Sequence, residues 1–219
     1  VMGLSAYGKS DRYTSIERLI DQLDWQKRFV GLTKKDWESS QYLDYFQGLA
    51  CETQNTYERV LFQKLRNLRN KYPHFDRLVL TGGCALNCIG NAKLLNEKIF
   101  DEIYVPPNPG DEGVALGAAL ECRIAQTGES LPVMSWNQQT SFLGPKRPNS
   151  KLRNCVISKI AALLANRKIV AIYRGRSEIG PRALGNRSIL ADPSMEGIKD
   201  YLNQEIKGRE SFRPFGGSC

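Results

Sequence analysis

The sequence predicts an α/β protein, and three features point there. Arg77 to Thr81 (RLVLT) is a short β-prone run ending at Gly82-Gly83, Leu86 to Lys98 reads as a helix, and Glu102 to Val105 reads as a second strand. A right-handed crossover would set these strands parallel in a covered sheet. The glycine turn would then lie at the carboxyl end of the first strand, where open α/β sheets bind ligands. A second alternation of helix and strand follows residue 155, and 219 residues with 41% apolar and 25% charged side chains can bury a sizeable core.

Taken in order, Thr14 and Glu17 form a capping-box pattern around Ile16, Leu19, Ile20 and Leu23, which predicts a short amphipathic helix from near residue 15. From about Asp36 to Asn70, Phe46, Leu49, Ala50, Thr53, Tyr57, Val60, Leu61, Leu65 and Leu68 recur by threes and fours, describing one buried helical face that Pro73 ends. After the strand, helix, strand unit, Pro106-Pro107-Asn108-Pro109-Gly110 holds an extended loop, and Gly113 to Gln126 is a helix rich in Ala and Gly. Residues 127–150 turn to Pro, Ser, Asn and Gln without sustained periodicity and are expected to link two domains. Val156, Ile157, Ile160, Ala161, Leu163 and Leu164 mark the next helix, with Arg167 and Lys168 expected in its last turn. Ile169 to Tyr173 is expected as a buried strand and Ser188 to Ala191 as another. Asp192-Pro193 is expected to cap a helix bearing Ile198, Tyr201, Leu202 and Ile206. No internal repeat is visible.

The composition excludes disorder, collagen and a small disulfide scaffold. No apolar run approaches the roughly 20 residues that cross a bilayer, and Val1-Met2-Gly3-Leu4 has no signal-peptide pattern, so a cytoplasmic protein without a membrane partner is expected. Cys51, Cys84, Cys88, Cys122, Cys155 and Cys219 form no C-x-x-C pair and suit reduced thiols. The single histidine, His74, removes any two-histidine metal motif. Charge is distributed unevenly: from Lys146 onward 15 Lys and Arg face 6 Asp and Glu, whereas 16 face 17 before it. An excess confined to the last third implies a local anionic partner, either nucleic acid or a phosphorylated small molecule.

Three motifs could carry chemistry. In TGGCALN (Thr81 to Asn87), two glycines let a ligand approach the backbone and the next helix offers unpaired N–H groups to phosphate; the plain alternative is a tight turn. In NPGDEGVALGAAL (Asn108 to Leu120), Asp111 is either a cap on free amide donors or a ligand for a metal that meets a nucleotide's phosphates. Without histidine neighbours that metal site is incomplete. In YRGRSEIGPRALGNRSILADP (Tyr173 to Pro193), Arg174, Arg176, Arg182 and Arg187 lie within 14 residues with Glu178 the only acid among them, and glycines break any helix that would spread them out. Guanidinium forks on a bent loop suit a compact polyanion. RNA is the competitor, but it normally calls for interleaved aromatics and this stretch has only Tyr173. A solvated surface loop is the bland alternative.

Five blocks in this order resemble the nodulation-protein-U and antibiotic-tailoring O-carbamoyltransferases: MGLSAYG (Met2 to Gly8), GGCALN (Gly82 to Asn87), PGDEGVALGAAL (Pro109 to Leu120), GRSEIGPRALGNRSILADP (Gly175 to Pro193) and KGRESFRPF (Lys207 to Phe215). The resemblance implies part of an actin/Hsp70-like (ASKHA) nucleotide- and metal-binding domain over residues 1–126, a linker over 127–150, and the start of a YrdC-like domain over 151–219. It implies that the YrdC-like part makes carbamoyl adenylate from carbamoyl phosphate and ATP, and that the ASKHA part passes the carbamoyl group to a hydroxyl of a small-molecule acceptor. By the same resemblance Arg176, Arg182 and Arg187 are the catalytic clamp, with Arg209, Arg213, Asn186 and Ser188 binding carbamoyl phosphate and nucleotide phosphates. Gly82, Gly83 and Asn87 would border the adenosine, and Asp111 would ligate a divalent metal, iron or magnesium.

Members of that family are longer, with metal-binding histidines in an amino-terminal half, so the chain is expected to be an internal fragment, inactive alone. Its end, Gly216-Gly217-Ser218-Cys219, departs from the usual Ala-Pro continuation. Nucleic acid is not expected as a partner, and an RNA-binding or non-catalytic interaction module built on the basic last third is the alternative function.

Overall fold

The computed structural model describes residues 1–9, 43–129, 141–145 and 156–216. The helix expected near residue 15, the first turns of the long helix before residue 43, most of residues 127–150 and the last three residues lie outside them. The chain forms two compact units, each drawing on sequence from both sides of residues 127–150. The first comprises Val1–Asp76, Ile89–Ile99 and Gly197–Cys219, and the second Arg77–Cys88 and Phe100–Glu196.

The first unit is helical: α1 (Met2–Ser5), α2 (Leu43–Lys71), α3 (Cys88–Glu97, from Ile89 on) and α6 (Ile198–Tyr201), which continues as a π-helical segment over Leu202–Ile206. As the periodicity of its sequence requires, α2 buries one stripe, and it stops two residues before Pro73. The stripe is rotated from the expected one, however. Ala50, Phe62 and Leu65 are buried with Gln54 and Glu58, whereas Val60 and Leu68 are exposed. The buried acid is compensated, because Glu58 pairs with Lys93 of α3 at 2.5 Å and accepts Gln54 Nε2–H at 2.8 Å. Arg66 pairs with Glu97 further along. Leu94 of α3 is fully buried.

At α1, Gly3 lies against the Phe212 and Pro214 side chains, so the blocks MGLSAYG and KGRESFRPF adjoin. The helix at residues 198–206 starts at Gly197 rather than at Asp192-Pro193. Asp192 is too far upstream to reach its first turn and instead accepts the Ser194 N–H at 2.9 Å.

In the second unit β1 (Arg77–Val79) pairs in parallel with β2 (Glu102–Tyr104), in the register Arg77 to Glu102, Leu78 to Ile103 and Val79 to Tyr104. The Leu80 N–H extends the ladder to the Tyr104 carbonyl at 2.8 Å. The parallel pairing is as expected; the covered sheet is not, since among the described residues the sheet has two strands and Val79 is 63% exposed. Helix α4 (Asp111–Thr127) begins two residues earlier than its apolar pattern, with Asp111 and Glu112 in the first turn, where carboxylates meet the positive end of the dipole. Helix α5 (Val156–Ala165) ends before Arg167 and Lys168. Arg167 adopts a left-handed conformation beyond the helix, and the Arg167 and Lys168 N–H groups return to the carbonyls of Leu164 and Leu163, closing the helix as a C-cap rather than prolonging it.

Strands β3 (Val170–Tyr173) and β4 (Arg187–Leu190) form an antiparallel pair with Tyr173 opposite Arg187. The expectation of a buried strand over Ile169–Tyr173 fails here. β3 alternates half-buried and exposed residues, as a two-stranded ribbon with one wet face must. The arginine-rich stretch is therefore the long loop of a hairpin.

Candidate functional site

Within the second unit the glycine turn, the proline loop and the arginine loop meet. Gly82 takes φ +94°, a conformation only glycine holds without strain, and its N–H donates to the Pro109 carbonyl at 2.7 Å. That bond fastens the glycine turn to the NPG loop. A 3-10 turn follows at Gly83–Leu86, closed by the Asn87 N–H on the Cys84 carbonyl. At Gly82 and Gly83 an added Cβ would meet no atom within 4 Å, so the backbone is open to a ligand.

The arginine loop reaches the same place from the other side. Gly180 takes φ +100°, and a Cβ there would run into the Pro107 carbonyl oxygen, so backbone packs on backbone. Arg182 is exposed and donates to the Leu86 carbonyl at 3.4 Å, at the end of the glycine turn. Arg176, also exposed, donates to the Leu143 carbonyl at 2.9 Å. Residues 141–145 run beside the loop, with the Gly144 N–H on the Ser177 carbonyl, Ser177 N–H on Pro145 and Ile179 N–H on Ser141.

The loop's interior is organised by an acid and an amide. Glu178 Oε1 accepts N–H bonds from Leu184 at 2.7 Å, Asn186 at 2.8 Å and Arg187 at 3.1 Å. Burial pushes its carboxyl up, but the backbone donors outweigh that and hold its pKa at about 2. Asn186 donates Nδ2–H to the Arg176 carbonyl at 2.7 Å and accepts Arg174 Nε–H at 3.1 Å, while Ser188 Oγ accepts the Gly185 N–H at 3.0 Å. Arg187 is turned inward: Nη1 donates to the carbonyls of Arg174 at 2.6 Å and Asn186 at 2.9 Å, and the guanidinium stacks 3.7 Å from the centre of the Tyr173 ring. In this arrangement Arg187 braces the loop, and Arg176 and Arg182 are the forks that face solvent.

Of the other predicted site residues, Asp111 is exposed at the first position of α4. One carboxylate holds no divalent ion by itself, and among the described residues no three His, Cys, Asp or Glu side chains gather into a metal site. Arg209 and Arg213 belong to the first unit. There the fully buried Asn203 accepts Arg209 Nε–H at 2.7 Å and donates to the carbonyls of Ser211 at 3.1 Å and Arg213 at 2.9 Å. Arg209 lies 4.6 Å from the centre of the Phe215 ring, and burial together with the Arg213 charge lowers its pKa, against the opposing pull of Glu210. Arg213 donates to Glu210 at 2.6 Å.

Sequence reasoning missed Glu178, Tyr173 and Asn203 as organisers. The available signal for Glu178 was its isolation as the one acid among four arginines. Asn203 gave none, because its partners are carbonyls that only the fold brings near. No helix of the described residues is long and apolar enough to cross a membrane, and none of the four described cysteines forms a disulfide.

Comparison with known proteins adds an independent line. Residues 3–120 match the family model described as Carbamoyltransferase N-terminus, and residues 161–219 match Carbamoyltransferase C-terminus. The chain is similar to the nodulation protein NolO of Bradyrhizobium diazoefficiens, at 36% identity across 100% of this chain and 44% of that protein. It is also similar to nodulation protein U of Sinorhizobium fredii, at 41% identity across 74% of this chain and 29% of that protein. Nodulation protein NolNO of the same organism is 34% identical across 100% of this chain and 35% of its own length. The chain thus spans less than half the length of each of these relatives.

Proposed function

The chain belongs to the carbamoyltransferase family, and from that premise we propose that the whole protein activates carbamoyl phosphate with ATP as carbamoyl adenylate and transfers the carbamoyl group to a hydroxyl of a small-molecule acceptor. The activity is proposed for the whole protein, not for these 219 residues alone. In this reading residues 1–126 contribute to an actin/Hsp70-like nucleotide-binding domain and residues 151–219 to a YrdC-like one.

Atom balance sets the steps. Carbamoyl phosphate loses its phosphoryl group as inorganic phosphate, with water supplying the oxygen. The resulting carbamate oxygen attacks the α-phosphorus of ATP and pyrophosphate leaves. The acceptor hydroxyl then attacks the carbamoyl carbon, giving up its proton, and AMP leaves with the bonding pair. Each of the first two steps sheds a phosphate oxyanion, so fixed guanidinium groups lower the barrier most where that charge develops.

The observation that carries the reading is the exposed Arg182, on a loop braced from within, hydrogen-bonded to the carbonyl that ends the glycine turn. It joins the arginine-rich loop to an open backbone suited to nucleotide phosphates. Arg176 stands on the same loop, and Arg187, Asn186 and Ser188 keep that loop in shape.

The test is carbamoyl-phosphate-dependent exchange of labelled pyrophosphate into ATP by the full-length protein. Arg182→Ala should reduce exchange by roughly a hundredfold, the usual cost of losing one charge-stabilising donor. Exchange at the wild-type rate by a folded Arg182→Ala protein would refute the arginine assignment.

A further inference from the structure

Glu178 is the one acid in a stretch that carries Arg174, Arg176, Arg182 and Arg187. A carboxylate among four guanidiniums would ordinarily neutralise one of them through a bidentate salt bridge. Glu178 does not. Its Oε1 accepts three backbone N–H groups, from Leu184, Asn186 and Arg187, at 2.7, 2.8 and 3.1 Å. The guanidiniums instead bond to oxygens elsewhere: Arg174 to the Gly185 carbonyl and Asn186 Oδ1, Arg176 to Leu143, Arg182 to Leu86, and Arg187 to Arg174 and Asn186. Three amides converging on one oxygen make the same concave nest with which proteins hold phosphate, here filled by the chain's own carboxylate.

The consequence is electrostatic as well as mechanical. Residues 184–187 are pinned in a turn that converges the N–H groups of Leu184, Asn186 and Arg187, and the negative charge that pins them is balanced by amide dipoles rather than by an arginine. The guanidinium charge is left to an incoming anion.

We infer that Glu178 is a positioning residue: a built-in anion, seated on the loop's own amides, that holds the arginine loop in the form that receives the donor's phosphate. The inference rests on the function proposed above. It assigns Glu178 no contact with substrate.

The test uses the full-length protein and two kinds of readout. The first is independent of activity: amide hydrogen exchange at Leu184, Asn186 and Arg187. Glu178→Ala should speed exchange there by about tenfold or more, and added formate, small enough to enter the emptied nest, should slow it again. The second is the KM for carbamoyl phosphate, which should rise about tenfold in Glu178→Ala while kcat falls less, and which formate should bring back toward the wild-type value. Glu178→Gln keeps an oxygen in place without its charge and should lie between. It carries the test if the alanine variant does not fold.

Amides that lose protection while the KM for carbamoyl phosphate stays at the wild-type value would overturn the positioning role, and so would an alanine variant that formate does not rescue in either readout. A wild-type protein without carbamoyl-phosphate-dependent exchange would defeat the proposed function instead. In that event the amide measurement, with and without formate, still decides whether Glu178 holds the loop.

Discussion

Gly180 and Glu178 sit two positions apart and fix the arginine loop by opposite means. Gly180 lets the loop's backbone approach the Pro107 carbonyl with φ at +100°, a geometry any side chain would both strain and obstruct. Gly180→Ala should therefore destabilise the protein by about 1–3 kcal/mol, read from urea denaturation, and loosen the loop without touching an arginine. Glu178 acts through charge, and its contribution depends on pH. Its pKa is lowered from 4.5 to about 2 in the folded protein, so the unfolded chain takes up a proton first as the solution is acidified. The stabilisation is complete above about pH 4.5 and is lost as the pH falls toward 2. In acid titrations followed by circular dichroism, Glu178→Gln should flatten the loss of stability across that window. An unchanged acid limb in the variant would show that other carboxylates dominate. The sequence displayed both residues but not their work, since a contact with a carbonyl in a distant loop and a set of converging amides leave no trace in residue type or spacing.

At the scale of elements, α2 shows what periodicity can and cannot tell. Recurrence by threes and fours located a long helix and its end near Pro73, because one apolar face must be buried and proline cannot continue the ladder. Which residues within that broad stripe are deepest depends on what packs against it, and this is where the reading missed. Leu65, 6% exposed, is core, while Leu68, 42% exposed, is not. Leu65→Ala should cost about 2–4 kcal/mol in thermal or urea unfolding, and Leu68→Ala no more than about 0.5 kcal/mol. Equal effects would mean that the stripe is not oriented as described. The parallel pairing of β1 with β2 was legible because a strand, a glycine turn, a helix and a strand leave few other solutions. The antiparallel pairing of β3 with β4 was not, because the loop between them follows no short turn rule that would announce a hairpin.

For the whole molecule, the uneven charge becomes a statement about binding. If the arginine loop receives a small phosphorylated donor, the exposed Arg176 and Arg182 interact with it across water-accessible distances that salt screens. Raising ionic strength from about 0.05 to about 0.5 M should therefore raise the KM for carbamoyl phosphate several-fold, with a smaller change in kcat. A KM indifferent to salt would place the donor away from these forks. The order of blocks along the chain was enough to point to the carbamoyltransferase family, and residue type alone made arginine the natural partner of a phosphate. Local sequence also determined most helices and strands, since hydrophobic period and the glycine and proline stops are short-range properties. Only the tertiary structure decided that Arg187 faces inward onto Tyr173 while Arg182 faces out, that Glu178 binds amides rather than arginines, and that Arg209 rests on the buried Asn203. Those choices turn on which backbone donors and acceptors come within about 3 Å of one another, and that is a property of the folded loop rather than of any residue in it.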